Sequence, residues 1–155
     1  MHPQALRVQQ FLAEAGSSAQ VGEIPDSTRT ALEAAAAVGC EVGQIVKSLV
    51  FVLDPPGEII LLLVSGANRV QEHNVGRLLG GSLGKANADQ VQSATGYAIG
   101  GVPPIGHARP LPTYIDEDLL KYPQVWAAAG TPHAVFPISP EELVRITGGK
   151  PIQVT

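Results

Sequence analysis

The change from a helical to an alternating hydrophobic pattern near residue 46 constrains the fold of this chain more than any other sequence feature. Two apolar runs, Val46 to Leu53 and Glu58 to Ser65, are separated by the turn-forming tripeptide Pro55-Pro56-Gly57. Apolar runs of this length between turn residues are typical of strands, and the nearly continuous second run is typical of a strand buried on both faces. The sequence therefore predicts a β-hairpin whose second strand is buried.

Helix signals lie on both sides of this hairpin. Apolar residues at helical spacing follow Pro3 and end before Gly16, and Thr30 and Glu33 form a capping-box pair ahead of an alanine-rich run that Gly39 terminates. The remaining predicted elements are helices at 71–79, at 88–94 and from residue 140 to 147, strands at 113–115, 124–129 and 133–136, an extended piece at 83–86 and a helical turn at 117–121.

Strands and helices do not alternate regularly along the chain. This pattern favours an α+β fold, with a mixed, barrel-like β-sheet flanked by short helices, over a doubly wound fold. The chain has 155 residues, of which 45% are hydrophobic, so it can bury one substantial core. We expect a single domain over residues 1–155.

Charge and composition exclude several classes of function. The net charge of −4 argues against charge-driven binding to DNA, although a small local basic pocket is compatible with it. The single Cys40 excludes an internal disulfide framework, and the first residues lack the basic and apolar regions of a signal peptide. The apolar runs are shorter than the roughly 20 residues that span a bilayer. We expect a cytoplasmic protein without a membrane segment.

A loop rich in glycine and proline is the first candidate for a binding site. It holds five such residues within seven positions, namely Gly100, Gly101, Pro103, Pro104 and Gly106. Glycine lets a ligand approach the main chain closely, and proline lowers the disorder that binding must overcome. A reversal of direction needs fewer such residues. The pattern therefore favours a ligand-facing loop over a plain turn.

Three side chains could carry chemistry near such a loop. Lys47 shares a strand face with apolar residues, which is compatible either with a side chain that reaches water from the strand end or with a cation held in a cleft for a phosphate or carbonyl oxygen. His133 follows a glycine and proline turn, where it could face a pocket or could cap the turn. His107, which ends the loop, has the same two interpretations.

Other chemistries lack their residue patterns. The four histidines have no ligand-like spacing and no C-x-x-C pair exists, so we expect no metal. The glycine loop matches neither common phosphate-binding formula, and no serine lies in a G-x-S-x-G context. We therefore expect no cofactor, no nucleoside triphosphate chemistry and no serine hydrolase.

Three motifs in order give the chain a family resemblance. They are VKSLVF at 46–51, TGYAIGGVPPIG at 95–106 and GTPHAVF at 130–136. In these motifs the chain resembles the YbaK family, also called the prolyl-tRNA-synthetase-associated editing domain family. The resemblance covers nearly the whole chain and implies a mixed barrel-like sheet with surrounding helices, and hydrolysis of amino acids from wrongly charged tRNA.

The resemblance also implies roles for individual residues. Lys47 matches the lysine that would hold the tRNA 3′ end, and the family's Gly-x-x-x-Pro loop falls on Gly100 through Pro104, where backbone groups, including those of Gly101, would position the scissile ester. His133 matches a histidine that shapes the amino-acid pocket in some branches. The other expected substrate-binding residues are Ser48, Gly130 and His107.

The expected function is therefore a free-standing deacylase for mischarged aminoacyl-tRNA. A proline-tRNA substrate carrying alanine, serine or threonine fits the resemblance, whereas the branch that clears cysteine tends to have a glycine-rich segment with basic residues in place of the His133 region. Candidate phosphate partners are Lys47, Arg69, Lys85 and Arg109, although the last three are also typical of a solvated surface. A synthetase is a possible partner. The alternatives are a non-catalytic tRNA- or synthetase-binding module and a small-molecule binding protein.

Overall fold

The computed structural model describes residues 1–25 and 29–155. The α-helices are α1 (Pro3–Glu14), α2 (Ala31–Val38), α3 (Glu72–Leu79), α4 (Ala88–Thr95) and α5 (Pro140–Thr147). The strands are β1 (Gly22–Glu23), β2 (Ile45–Asp54), β3 (Glu58–Ser65), β4 (Ser82–Lys85), β5 (Thr113–Asp116), β6 (Val125–Ala128), β7 (Ala134–Ile138) and β8 (Lys150–Ile152). Two 3₁₀ segments lie at Val42–Gln44 and Glu117–Lys121.

The described strands form one sheet that contains both parallel and antiparallel pairs. Their order is β1-β7-β6-β2-β3-β5-β8, and β4 also pairs with β2. The predicted hairpin is confirmed as β2 and β3, which pair in an unbroken antiparallel register from Val46 opposite Ser65 to Leu53 opposite Glu58. The predicted α+β class, with a mixed sheet flanked by short helices, is confirmed.

The central strand β2 has three neighbours rather than two. One edge pairs with β3 along nearly its whole length. The other edge is shared, because the parallel pairing with β6 involves Ile45 and Val46 while the antiparallel pairing with β4 involves Phe51 to Asp54. Between these two pairings, residues 47–50 have no strand beside them on this edge among the residues described. The sheet therefore has a gap next to its central strand.

Strand β3 lies between two hydrophobic clusters. Leu61 and Leu63 point into the larger cluster with side chains of α1 and α5, whereas Leu62 and Val64 point into a second cluster that includes Val75 of α3. These side chains are all fully buried, and each contributes about 1.5–3 kcal/mol through loss of contact with water. Burial on both faces holds the hairpin, and with it the gap, in a fixed position.

The helix ends follow their local signals. The Thr30 hydroxyl accepts a hydrogen bond from the Glu33 N–H at 3.1 Å, the Glu33 carboxylate accepts one from the Thr30 N–H at 3.2 Å, and Gly39 adopts a φ of 72° beyond α2. Strands β1 and β8, with two and three residues, were not predicted from the sequence. None of the described helices is long and apolar enough to cross a membrane.

The glycine and proline loop packs against the turn between β6 and β7. A Cβ at Gly101 would lie 2.9 Å from the carbonyl oxygen of Gly130, and a Cβ at Gly130 would lie 2.9 Å from the carbonyl oxygen of Gln4 in α1. Three backbone segments therefore stack at distances that only glycine permits. This stacking fixes the position of the loop relative to the sheet.

We predict that Gly101→Ala lowers the free energy of unfolding by about 1–3 kcal/mol, because the added methyl group would meet backbone atoms that have little room to move. Gly84→Ala in β4 is the matched control, because a Cβ there meets no atom within 4 Å. Its effect should stay within about 0.5 kcal/mol. Urea unfolding of both variants measures this difference, and equal effects would contradict the stacking.

Candidate functional site

A cavity of about 990 Å³ opens over the gap in the sheet. Its wall includes Lys47, Ser48, Leu49 and Val50 of β2, together with Gly100 of the glycine and proline loop. Ala128 at the end of β6 and Ala86 just after β4 flank the gap and line the same cavity. The structure thus brings three of the predicted site residues, Lys47, Ser48 and Gly100, to one space.

The two faces of β2 give this cavity two chemically different sides. Side chains alternate along a strand, so Lys47 and Leu49 lie on the face of Phe51. Lys85 is directly opposite Phe51 in the β2–β4 pairing and therefore lies on this face too. Arg69 also lines the cavity, whereas the other candidate, Arg109, does not. One side of the cavity is accordingly basic.

The opposite face is mainly apolar and carries Ser48. Val46 and Val50, two residues to either side of Ser48, belong to the larger hydrophobic cluster together with Val91 and Val102, and all four valines line the cavity. The Ser48 Oγ is buried and has no hydrogen-bond partner in the described part of the chain. A buried hydroxyl without a partner is costly, so it is well suited to accept or donate a hydrogen bond to a ligand.

A hydrogen-bond network holds the Lys47 ammonium. The Lys47 Nζ donates to the Asn68 carbonyl oxygen at 2.5 Å, and the Asn68 side-chain amide donates to Asp116 and to Asp118, each at 2.8 Å. Asp116 is buried and also accepts from the Ser65 N–H at 3.1 Å. The turn after β3 is therefore tied to the end of β5, and this connection positions Lys47.

Sequence reasoning did not identify Asn68 or Asp116 as part of the site. The available signal was local. Asn68 lies three residues after the end of the buried strand, in the turn that begins at Gly66. Asp116 ends a strand and caps the 3₁₀ segment by accepting a hydrogen bond from the Asp118 N–H at 3.0 Å. Both features are also typical of ordinary turns and caps. Only the three-dimensional contact between the two residues shows their relation to Lys47.

The electrostatic environment of Lys47 suits binding of an anion. Partial burial lowers the pKa of Lys47, the nearby Asp116 carboxylate acts in the opposite direction, and the nearby Arg69 lowers the pKa further. A lysine ammonium has three donors, and the bond to Asn68 uses one of them. The other two donors and the neighbouring cations can therefore serve a phosphate oxygen.

The predicted glycine and proline loop divides into two parts. Gly100 lines the cavity with a φ of 95°, and a Cβ there would lie 3.6 Å from the Cγ of Arg29. Gly101 and Pro104 are buried and do not line the cavity. Gly130, which packs on α1, does not line it either. The proposed ligand contact of this loop is thus Gly100, and Gly101 and Gly130 hold the loop in place.

The two histidines lie outside the cavity wall. The His107 Nε2 is 2.7 Å from the Pro103 carbonyl oxygen, which bridges the loop internally, and burial lowers the pKa of this imidazole. His133 is exposed, and its N–H donates to the Thr131 hydroxyl at 3.1 Å. The structure therefore does not bring either predicted substrate-binding histidine to Lys47 and Ser48. Among the described residues, no group of three or more His, Cys, Asp or Glu side chains could hold a metal ion.

Comparison with known protein families gives the class of this chain. Residues 25–146 match the aminoacyl-tRNA editing domain family. This match covers most of the chain, and the chain belongs to that family. The resemblance to the YbaK family drawn from the three sequence motifs is thereby confirmed.

Individual relatives agree with this assignment. A solved structure described as "a putative trans-editing enzyme for prolyl tRNA synthetase" is similar with 54% identity and a TM-score of 0.94, over 100% of this chain and 98% of that chain. The "Putative Cys-tRNA(Pro)/Cys-tRNA(Cys) deacylase EbsC" of Enterococcus faecalis is 28% identical over 78% of this chain and 74% of its own length. The "Uncharacterized protein YwhH" of Bacillus subtilis is 28% identical over 84% of this chain and 82% of its own length.

We predict that His107 makes stability depend on pH. Its pKa lies below the usual 6.5 in the folded state, so as the pH falls through 6.5 the unfolded chain binds a proton before the folded chain does, and the free energy of unfolding decreases. His107→Gln keeps a donor for the Pro103 oxygen and should flatten this decrease. Urea unfolding at several pH values, with the exposed His133→Gln as control, measures the slope. A His107→Gln slope equal to that of the wild type would contradict this role.

Proposed function

We propose that this chain is a trans-acting deacylase that hydrolyses mischarged aminoacyl-tRNA, with proline tRNA carrying alanine, serine or threonine as the substrate. The observation that carries the proposal is the position of the Lys47 ammonium, which Asn68 holds on the basic side of a cavity whose other side is apolar. The basic side suits the polyanionic 3′ end of the tRNA, and the apolar side suits a small aminoacyl group.

The reaction itself requires no protein nucleophile. Water adds to the ester carbonyl carbon, the bond between this carbon and the ribose oxygen breaks, and a proton passes to the ribose oxygen, which leaves a free amino acid and uncharged tRNA. The attacking water gives up one proton, which reaches the leaving ribose oxygen through solvent or by relay through the neighbouring ribose hydroxyl. The protein contributes orientation and stabilisation of charge on the carbonyl oxygen. The backbone of the Gly100 loop is the proposed source of this orientation.

Lys47 binds the phosphate group of the tRNA 3′ end in this proposal. Lys47 lines the cavity, and its bond to Asn68 leaves two donors for the phosphate. Arg69, whose charge acts on Lys47, and Lys85 line the same cavity and add positive charge. Phosphate contacts fix the register of a nucleic acid without reading its bases. They would place the ester at the gap beside Ser48, while an overall charge of −4 keeps binding local.

The apolar side of the cavity selects the amino acid. A synthetase discriminates weakly against smaller analogues of its amino acid, and a second hydrolytic site corrects the resulting errors. The valines around Ser48 give the substrate side chain apolar surroundings, which supports an amino acid without a charged side chain. The similarity to a structure described as acting for prolyl tRNA synthetase supports proline tRNA. The more distant similarity to EbsC adds cysteine to the esters that need testing.

We predict that the chain releases labelled amino acid from proline tRNA charged with alanine, serine or threonine and spares prolyl-tRNA. Lys47→Ala should lower the rate by at least about 100-fold, because the 3′ end loses its main anchor. Lys150→Ala on β8 removes the same charge at an exposed position outside the cavity, and it should keep the wild-type rate.

Two results would contradict this proposal. If the chain releases no amino acid from proline tRNA charged with alanine, serine, threonine or cysteine, the substrate assignment is wrong. Tight binding of tRNA or of a synthetase without any turnover, unchanged in Lys47→Ala, would favour the non-catalytic binding module instead.

We predict that Gly100→Val abolishes deacylation while the chain stays folded, because the added side chain would occupy the cavity where the ester is expected to approach. Gly57→Val is the matched control. Gly57 has a φ of 91°, close to the 95° of Gly100, and lies in the turn between β2 and β3 away from the cavity. Both variants strain the backbone similarly, and thermal unfolding should show similar losses. Equal activity of the two variants would contradict the role of Gly100.

A further inference from the structure

The main chain of β2 at the gap has its own binding capacity. The Ile45 carbonyl oxygen accepts a hydrogen bond from the Gly66 N–H at 2.7 Å on the β3 side, whereas the Val50 carbonyl oxygen accepts one from the Ala86 N–H at 3.1 Å on the opposite side. In an antiparallel ladder, the N–H and C=O of successive residues point to alternate edges. Because the β2–β3 register is unbroken, the N–H and C=O of Ser48 point away from β3 and into the gap.

Within residues 1–25 and 29–155, no strand pairs with Ser48 at this edge. The ladder with β6 ends at Val46 opposite Ala127, and the ladder with β4 begins at Phe51 opposite Lys85. Beyond β4, the Ala86 N–H donates to the Val50 carbonyl oxygen, two residues away from Ser48. The N–H and C=O of Ser48 thus point into the gap, and Ser48 lines the cavity. The Ser48 Oγ is buried and also has no partner in this part of the chain.

The size of the gap limits what can fill it. Val46 and Val50 are four residue steps apart, which corresponds to about 13 Å along an extended strand. A further strand would need room for several residues along β2. The ends of β4 and β6 flank the opening and leave no such room. One extended residue with a hydrogen-bond donor and an acceptor fits this edge, as in recognition by strand addition.

We propose that the aminoacyl group of the substrate pairs with Ser48 as the missing residue of the sheet. The proposal rests on the proposed deacylase function and names the group that holds the scissile ester. The Ser48 N–H donates to the ester carbonyl oxygen, and the substrate α-ammonium group donates to the Ser48 carbonyl oxygen. Opposite residues of an antiparallel sheet exchange the same two hydrogen bonds.

This pairing has a catalytic and a selective consequence. When water adds to the carbonyl carbon, negative charge develops on the oxygen that the Ser48 N–H contacts, so this donor stabilises the transition state. Side chains of opposite residues lie on the same face of a sheet, so the substrate side chain lies beside Ser48 between Val46 and Val50. The side chains around this position are apolar, and the buried Ser48 Oγ among them has no partner within the described residues.

A proline substitution tests the donor directly. Ser48→Pro removes the N–H, which makes no hydrogen bond to β3, so the sheet loses no ladder bond. We expect kcat to fall by about 10²–10³-fold relative to Ser48→Ala, the loss typical of one donor to a developing oxyanion. Ser48→Ala measures how much of the loss in kcat comes from the hydroxyl group. The affinity of Ser48→Pro for uncharged tRNA should match that of the wild type. Circular dichroism and urea unfolding verify that both variants are folded.

A substrate change tests the acceptor without altering the protein. Lactyl-tRNA has a hydroxyl group in place of the α-ammonium group of alanyl-tRNA. We expect the wild-type chain to accelerate hydrolysis of lactyl-tRNA at least about 10-fold less than that of alanyl-tRNA, each relative to its own uncatalysed rate, because a charged hydrogen bond is replaced by a neutral one.

The outcomes separate the pairing from the function on which it rests. Wild-type hydrolysis of alanyl-tRNA, together with a folded Ser48→Pro that turns over as fast as Ser48→Ala, overturns the pairing and leaves the deacylase function in place. Equal acceleration of lactyl- and alanyl-tRNA also overturns the pairing. Failure of the wild type to hydrolyse any charged tRNA in the panel overturns the proposed function, and the pairing with it.

Discussion

The incomplete pairing of β2 is the constraint on which the site depends. Main-chain N–H and C=O groups in a protein interior are normally paired, and a sheet usually satisfies them on both edges of a central strand. Here β6 and β4 share one edge of β2 and leave residues 47–50 between them without a strand neighbour in the described part of the chain. The cavity follows from this arrangement, because its floor is the strand itself.

The hydrophobic core makes such an opening stable. Strand β3 is buried on both faces and pairs with β2 along eight consecutive residues, so β2 does not need its second edge to stay in place. The alternation of side chains then separates charge from apolar surface across one strand. Lys47, anchored through Asn68 and Asp116, lies on one side, and Ser48 lies among valines on the other. Neighbouring residues can therefore serve different parts of one substrate.

Local signals in the sequence predicted most of the fold, whereas long-range pairing was not predictable from them. The hairpin and the capped helices, such as α2 with Thr30 and Glu33, depend on residues close together in the chain. The attachment of both β4 and β6 to one edge of β2, and the short strands β1 and β8, depend on contacts between distant segments. For the site, the sequence pointed to Lys47, Ser48 and Gly100. It did not reveal that the cavity wall excludes His107 and His133, or that Asn68 anchors Lys47.

The most direct test of this account is an NMR titration of the ¹⁵N-labelled chain with a non-hydrolysable amide analogue of alanyl-adenosine. Binding at the gap predicts that the Ser48 amide proton shifts downfield, as expected for a new hydrogen bond, and that the amides of Gly100, Ala86 and Ala128 around the cavity also change. An unchanged Ser48 amide, with shifts concentrated near Thr131 and His133, would contradict the central claim that the open edge of β2 binds the aminoacyl end of the tRNA.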